Sequence, residues 1–229
     1  MMLVRRKFFF TLIQLNVILL AFSVCYSQPP KFIKYSTQLG LSSNNQRCVI
    51  QDKEGFIWIG TGEGLNRFDG RTFKVYRKVQ NDSTSLPSNI INCLYIDNKG
   101  ILWVGTYHGG LSRYNKEKDN FYTYTANIND TTALLNNDIT TIAEDKFSRL
   151  WIGTNSVGLH LFDPAINGFK RFVNTNTNKF DSNTIASNDI NKIVSDNDVL
   201  WIAYNTGVLT SLNTSTMIFK HYKLNCYLQ

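Results

Sequence analysis

A chain of 229 residues with 43% apolar and 18% charged side chains has ordinary globular composition, enough for one large domain and too little for several. The formal net charge is +7, but Arg5, Arg6 and Lys7 supply three of the 24 basic residues against 17 acids, which leaves +4 for the rest. Those cations are scattered among aspartates, which argues against the clustered surface that tracks a nucleic-acid backbone.

Arg5-Arg6-Lys7 precedes an apolar run at residues 8–22, followed by Cys25-Tyr26-Ser27-Gln28. A positive head, a short apolar stretch and a small residue at a cleavage point after Ser27 predict a signal peptide over residues 1–27. The run is shorter than the ~20 residues of a membrane span and contains Gln14 and Asn16. An uncleaved anchor is the alternative, and lipid attachment at Cys25 is a third reading. Removal of the signal leaves Cys48, Cys93 and Cys226, an odd count that argues against a disulfide-stapled scaffold. Cys48 and Cys93 occupy equivalent positions ten residues before a tryptophan and read as small packing residues.

Next comes an aromatic strand at residues 32–35, with Phe32 and Tyr35 at its ends, and then a polar loop. Residues 55–69 read GFIWIGTGEGLNRFD; the unit returns as GILWVGTYHGGLSRYN from Gly100, SRLWIGTNSVGLHLFD from Ser148 and DVLWIAYNTGVLTSLN from Asp198. Trp58, Trp103, Trp151 and Trp201 hold one position in it, at spacings of 45, 48 and 50 residues, the period of a repeat architecture.

Four short strands fit each period. In the first they are residues 46–51, 56–61, 65–68 and 72–77, with counterparts of the first strand at 91–96, 139–144 and 190–195. Asp52-Lys53-Glu54-Gly55 is a hairpin turn in which Asp bonds its own backbone and Gly supplies a positive φ; Ser148 and Asp198 replace the glycine in the last two copies. The second strand is apolar on both faces, with Phe56, Trp58 and Gly60 on one and Ile57, Ile59 and Thr61 on the other. Such sheets must be covered twice, as propeller blades are. The expected fold is all-β: four four-stranded antiparallel blades plus the N-terminal closing strand at 32–35. Residues 28–229 divide into repeats at about 36–77, 78–125, 126–173 and 174–223. The aromatic outer strand occurs five times and the inner strands four times, so the chain reads as the N-terminal piece of a larger ring of the seven-bladed type. A closed four-blade ring is the alternative.

Little of the sequence reads as reactive chemistry. His108, His160 and His221 lie in different repeats without ligand spacing, so no metal and no cofactor are expected. Asp52, Asp97 and Asp145, each six residues before a tryptophan, read as turn formers. Gly62-Glu63-Gly64 joins two strands and offers no helix N-terminus to an anion. The copies differ at the turn between strands two and three, and this is where a ligand is expected: Glu63, Tyr107, His108, Asn155 and Asn205. Rings there suit sugar faces and amides suit hydroxyls. Trp58, Trp103, Trp151, Trp201, Gly60, Gly105 and Gly153 read as the structural core of the repeat.

The pattern Leu-Ser-x-Asn, a strand, then Asp-x-x-Gly-x-x-Trp-Ile-Gly-Thr-x-x-Gly-Leu-x-x-Phe-Asp runs through residues 41–69, 86–115 and 134–163. It resembles the two-component regulator propeller repeat. The fourth copy departs from it, with Ala203-Tyr204 for Gly-Thr and Leu212-Asn213 for Phe-Asp. The resemblance implies the exported sensor region of a hybrid two-component histidine kinase of Bacteroidetes-type bacteria. That region faces the periplasm and responds to a small molecule or oligosaccharide, and its parent is anchored in the inner membrane. Kinase, receiver and DNA-binding parts would lie downstream, so this chain is expected not to be an enzyme. Its expected partners are further blades, the downstream receptor domains and a second copy in a receptor homodimer. The alternatives are a stand-alone exported interaction scaffold and a fragment of a propeller glycan hydrolase or lyase.

Overall fold

The computed structural model describes residues 31–175 and 181–223; the signal segment, Cys25 and Cys226 lie outside them. Among the described residues sixteen strands form four sheets, each a four-stranded antiparallel meander. The first contains β1 (Gln46–Gln51), β2 (Ile57–Thr61), β3 (Gly64–Phe68) and β4 (Phe73–Tyr76). The second contains β5 (Ile91–Ile96), β6 (Leu102–Thr106), β7 (Leu111–Asn115) and β8 (Asn120–Tyr124). The third contains β9 (Ile139–Glu144), β10 (Leu150–Thr154), β11 (Gly158–Asp163) and β12 (Gly168–Phe172), and the fourth β13 (Ile190–Asp196), β14 (Val199–Tyr204), β15 (Val208–Asn213) and β16 (Ile218–Lys223). First strands lie against one another, β1 on β5, β5 on β9 and β9 on β13. These are consecutive propeller blades.

Three devices of the repeat build each of the first three blades. In the β1–β2 turn, Asp52 Oδ1 accepts the amides of Glu54 and Phe56 while Gly55 takes φ 92°. The other carboxylate oxygen accepts the Trp58 indole N–H at 2.7 Å. Asp97 and Asp145 hold Trp103 and Trp151 the same way, at 2.9 and 2.8 Å. Thr61, Thr106 and Thr154 are fully buried and donate their hydroxyls to the carbonyls of Gly64, Gly110 and Gly158, which closes the β2–β3 turn. The third device is close approach. A Cβ on Gly105 would stand 2.4 Å from Cys93 Sγ and 2.7 Å from Ile139 Cγ2 of the next blade; Gly60 and Gly153 are crowded alike by Ile91 and Ile190.

The core therefore lies between blades. Trp58, Leu65 and Tyr76 of the first pack with Ile91, Leu102 and Phe121 of the second, and the next two interfaces repeat this arrangement. Every first strand carries a bulge. At two of these bulges, Asn92 and Thr140 donate to the carbonyls of Ile139 and Ile190 in the following blade. Burial pushes the Cys48 thiol up to about 11 and raises that of Cys93 as well, so both are inert packing groups, as their repeat position suggests.

Two expectations need correction. Residues 31–36 form no strand, so the closing strand at 32–35 is not seen. A strand exists through its ladder, and the third strand of every described sheet is already bonded on its outer side by β4, β8, β12 or β16. Tyr35 instead packs its ring edge against Phe68, 4.7 Å between centroids. In the fourth repeat no Asp-x-x-Gly turn forms. Asp196 pairs directly with Val199 across Asn197, which takes φ 52°, and Trp201 is only half-buried.

Candidate functional site

The β2–β3 turns and the loops entering each first strand gather at one end of the array, knit by main-chain bonds. The amides of Gly62, Tyr107 and Asn155 donate to the carbonyls of Asn45, Ile90 and Asp138, the residues just ahead of β1, β5 and β9. Gly110 and Gly158 donate to Asn137 and Asn188 of the next blade. The asparagine of the Leu-Ser-x-Asn pattern locks its own loop, with Asn89, Asn137 and Asn188 accepting the amides of Lys78, Ala126 and Asn174. Turn and loop thus form a rigid rim.

On that rim the expected residues fall into two groups. Asp138, 5% exposed, accepts the His108 amide at 2.5 Å and faces His108 Nδ1 at 3.0 Å. Tyr107 lies against the His108 ring, 3.8 Å between centroids with the planes tilted by 49°, and both rings are open to solvent. Asn155 joins this group because its amide binds the Asp138 carbonyl and its own carbonyl accepts Asn136 Nδ2 at 2.8 Å. Asn205 belongs to the second group, donating to Asp189 Oδ2 at 3.1 Å and accepting from Asn191 at 3.0 Å. A depression of about 400 Å³ lies between Ser156 and Thr206, lined by Asn188 and Asp189. Glu63 joins neither group: its amide binds Thr61 Oγ1 and its carbonyl accepts Arg77 Nε.

The sequence reading missed Asp138 and Asp189. Each follows the loop asparagine and precedes a first strand, so each looks like another turn aspartate. The available signal is that Asn45 and Ile90 hold the equivalent places in the first two repeats. An acid there is a property of two blades and not a requirement of the turn.

Beneath the rim, the third residue of β3 and of β11 braces the incoming loop. Asn66 accepts the Ser42 amide at 2.8 Å, and in the third blade His160, fully buried, accepts the Leu135 amide on Nε2 at 3.3 Å. Burial, and next the Arg171 charge across the ladder, lowers the His160 pKa from 6.5 to about 4. The unfolded chain therefore binds a proton between these pH values that the folded one refuses. Stability is fully present above pH 6.5 and falls as pH drops toward 4, by about 3 kcal/mol from this residue. Urea midpoints measured from pH 7 to 4 should show that loss, and His160→Asn should flatten it.

Among the described residues no helix is long and apolar enough to cross a membrane, and no group of three or more His, Cys, Asp or Glu could hold a metal. A family model described as two component regulator propeller matches residues 40–63, 85–108 and 133–156, each match running from the entering loop to the β2–β3 turn. The extracellular domain of a hybrid two component system from B. thetaiotaomicron is 30% identical, with a TM-score of 0.73 over 83% of this chain and 26% of that one. A second such domain from the same organism is 25% identical, with a TM-score of 0.64 over 87% of this chain and 28% of that one. A histidine kinase from Formosa agariphila is 53% identical over 47 residues, which are 20% of this chain and 3% of the kinase. The chain thus spans about a quarter of the solved domains and a small part of the kinase.

Proposed function

Because the chain belongs to the two-component regulator propeller family, we propose that it is an exported sensor segment of a two-component signalling receptor whose rim binds a neutral oligosaccharide. The observation that carries this reading is the Tyr107–His108 ring pair, solvent-open yet fixed from below by the buried Asp138. A solvent-open aromatic pair, with the amides of Asn155 and Asn205 on the same rim, suits the apolar face and the hydroxyls of a sugar ring. The carboxylates of Asp138, Asp189 and Glu63 at the same end disfavour an acidic sugar. The rim is set by neighbouring blades, so a ligand spanning two turns would report on blade-to-blade geometry. Export to the periplasm fits the basic head and apolar run of the N-terminus, and the kinase step belongs to other parts of the receptor. Calorimetry of the chain against a panel of neutral oligosaccharides tests the proposal. At least one should bind, and Tyr107→Ala should weaken it about tenfold, the loss of one stacking contact of about 1.4 kcal/mol. Equal affinity in the wild type and Tyr107→Ala rejects the rim.

A further inference from the structure

The opposite end of the array, where the β1–β2 and β3–β4 turns lie, holds a groove of about 710 Å³ between the first and second blades. Its lining includes six cations, Lys53, Arg67, Lys99, Arg113, Lys116 and Lys118, against three acids. Two of those acids are already committed: Asp52 to the Trp58 indole and its turn amides, Glu54 to Lys116 at 2.7 Å. Arg67 is held rather than free, its guanidinium 4.9 Å over the Phe56 ring and 5.7 Å over Trp58, donating to the Tyr114 hydroxyl at 3.1 Å. Arg113 lies 5.7 Å over the Tyr122 ring. Asp119, at 3.8 Å, is the nearest acid to Arg67, and it also receives Lys74, Tyr76 and Tyr114.

The repeats provide internal controls. At the third blade's corner the guanidinium is Arg149, consumed by Asp145 Oδ2 at 2.7 Å and the Thr214 carbonyl at 2.5 Å, and the place of Arg67 is taken by Leu161. At the second blade's corner Phe162 replaces Tyr114 and packs on Trp103, 5.2 Å between centroids, with no hydroxyl to offer Arg113. An oriented guanidinium beside an excess of cations is therefore specific to the first interface and is not a requirement of blade packing.

We propose that this groove is a second binding site, for an acidic ring-bearing ligand whose carboxylate or sulfate groups meet Arg67, Lys99, Arg113 and Lys118. Oriented guanidinium groups favour planar or tetrahedral oxyanions, and the Phe56 and Tyr122 faces favour a ring between them. The site lies at the other end from the rim and does not depend on the rim binding anything.

Trp58 lines the groove, so tryptophan fluorescence and calorimetry of the full chain can follow three probes: a galacturonate trisaccharide, a sulfated disaccharide and a neutral galactose trisaccharide. The acidic probes should bind, more weakly as salt rises, and the neutral one should not displace them; the better acidic probe identifies the oxyanion. Lys99 and Lys118 are exposed, so the Lys99→Gln/Lys118→Gln double variant keeps the fold, checked by circular dichroism, and should weaken binding at least tenfold. Failure of both acidic probes at millimolar concentration, displacement of a bound acidic probe by the neutral one, or unchanged affinity in the double variant overturns the proposal. Loss of acidic-probe binding in Tyr107→Ala, with the double variant unaffected, moves the ligand to the rim and overturns it too.

Discussion

Gly105→Val is expected to leave the chain largely unfolded at room temperature, and Gly105→Ala to cost about 1–3 kcal/mol. The position faces two walls at once. Cys93 Sγ lies on its own sheet and Ile139 is the first residue of β9 in the next blade, so a side chain cannot turn away from one without meeting the other. The alanine methyl is one group too many, and valine adds two more on a stiff Cβ. The chain carries its own comparison, because the fourth repeat has Ala203 at this place and no first strand packs beyond it among the described residues. Cys93→Ala in the Gly105→Ala background should restore part of the loss, since it removes one wall. Urea unfolding of the two single variants and the double measures that coupling.

Trp151→Ala should cost about 3–5 kcal/mol, a large part of the total for a domain stable by about 5–15. Trp151 is fully buried, packs on Phe172 at 5.5 Å between centroids, and gives its indole proton to Asp145, whose side chain is also sealed from water. Truncation leaves a cavity and takes one donor from a buried carboxylate, although Arg149 remains on it. Trp201→Ala should cost clearly less. Its repeat lacks the aspartate, and the ring is half-exposed beside Tyr222. Similar losses in the two variants would mean that the Asp–indole bond adds nothing to the anchoring of the ring.

The strands were legible because period-two alternation, Asp-x-x-Gly turns and the tryptophan register all recur, so each copy checked the others. The glycine at position 105 was legible as a close-packing place for the same reason. What the sequence hid is what the repeats do to each other. The Asp52–Trp58 bond is six residues long and appears only once the hairpin is folded. Tyr76 meets Asp119 and Tyr124 meets Asn167 at 2.6 Å, while Phe172 and Met217 hold the matching places in the next pair. Hydroxyl goes with Asx and phenyl with methionine, a covariation within one chain that becomes readable only when blade n is aligned with blade n + 1. Hydrogen bonds from Lys74, Tyr114 and Tyr76 outweigh the opposing push of burial and hold the Asp119 carboxyl down at about 2.

The candidate site was half legible. The variable turns were found because the copies disagree there, and four of the five residues proposed fall into two rim groups. Asp138 and Asp189 were hidden by their resemblance to turn aspartates, and Glu63 stands apart because the repeat that follows it has Ile90 at the place from which Asp138 meets His108. The basic groove escaped because its residues lie far apart in sequence: Lys116 reaches Glu54 across 62 positions. Scattered cations argue against a nucleic-acid surface, but scattering along the chain does not prevent convergence at one corner of a repeat.

Hydrogen exchange of the backbone amides, with and without a saturating neutral oligosaccharide, tests the central claim that the rim is the sensing surface. The account predicts added protection at residues 107–110 and 155–158 and in the loop at 136–138, with the amides of residues 97–101 and 116–120 unchanged. Protection confined to those last two segments, or spread evenly over the blades, would contradict it.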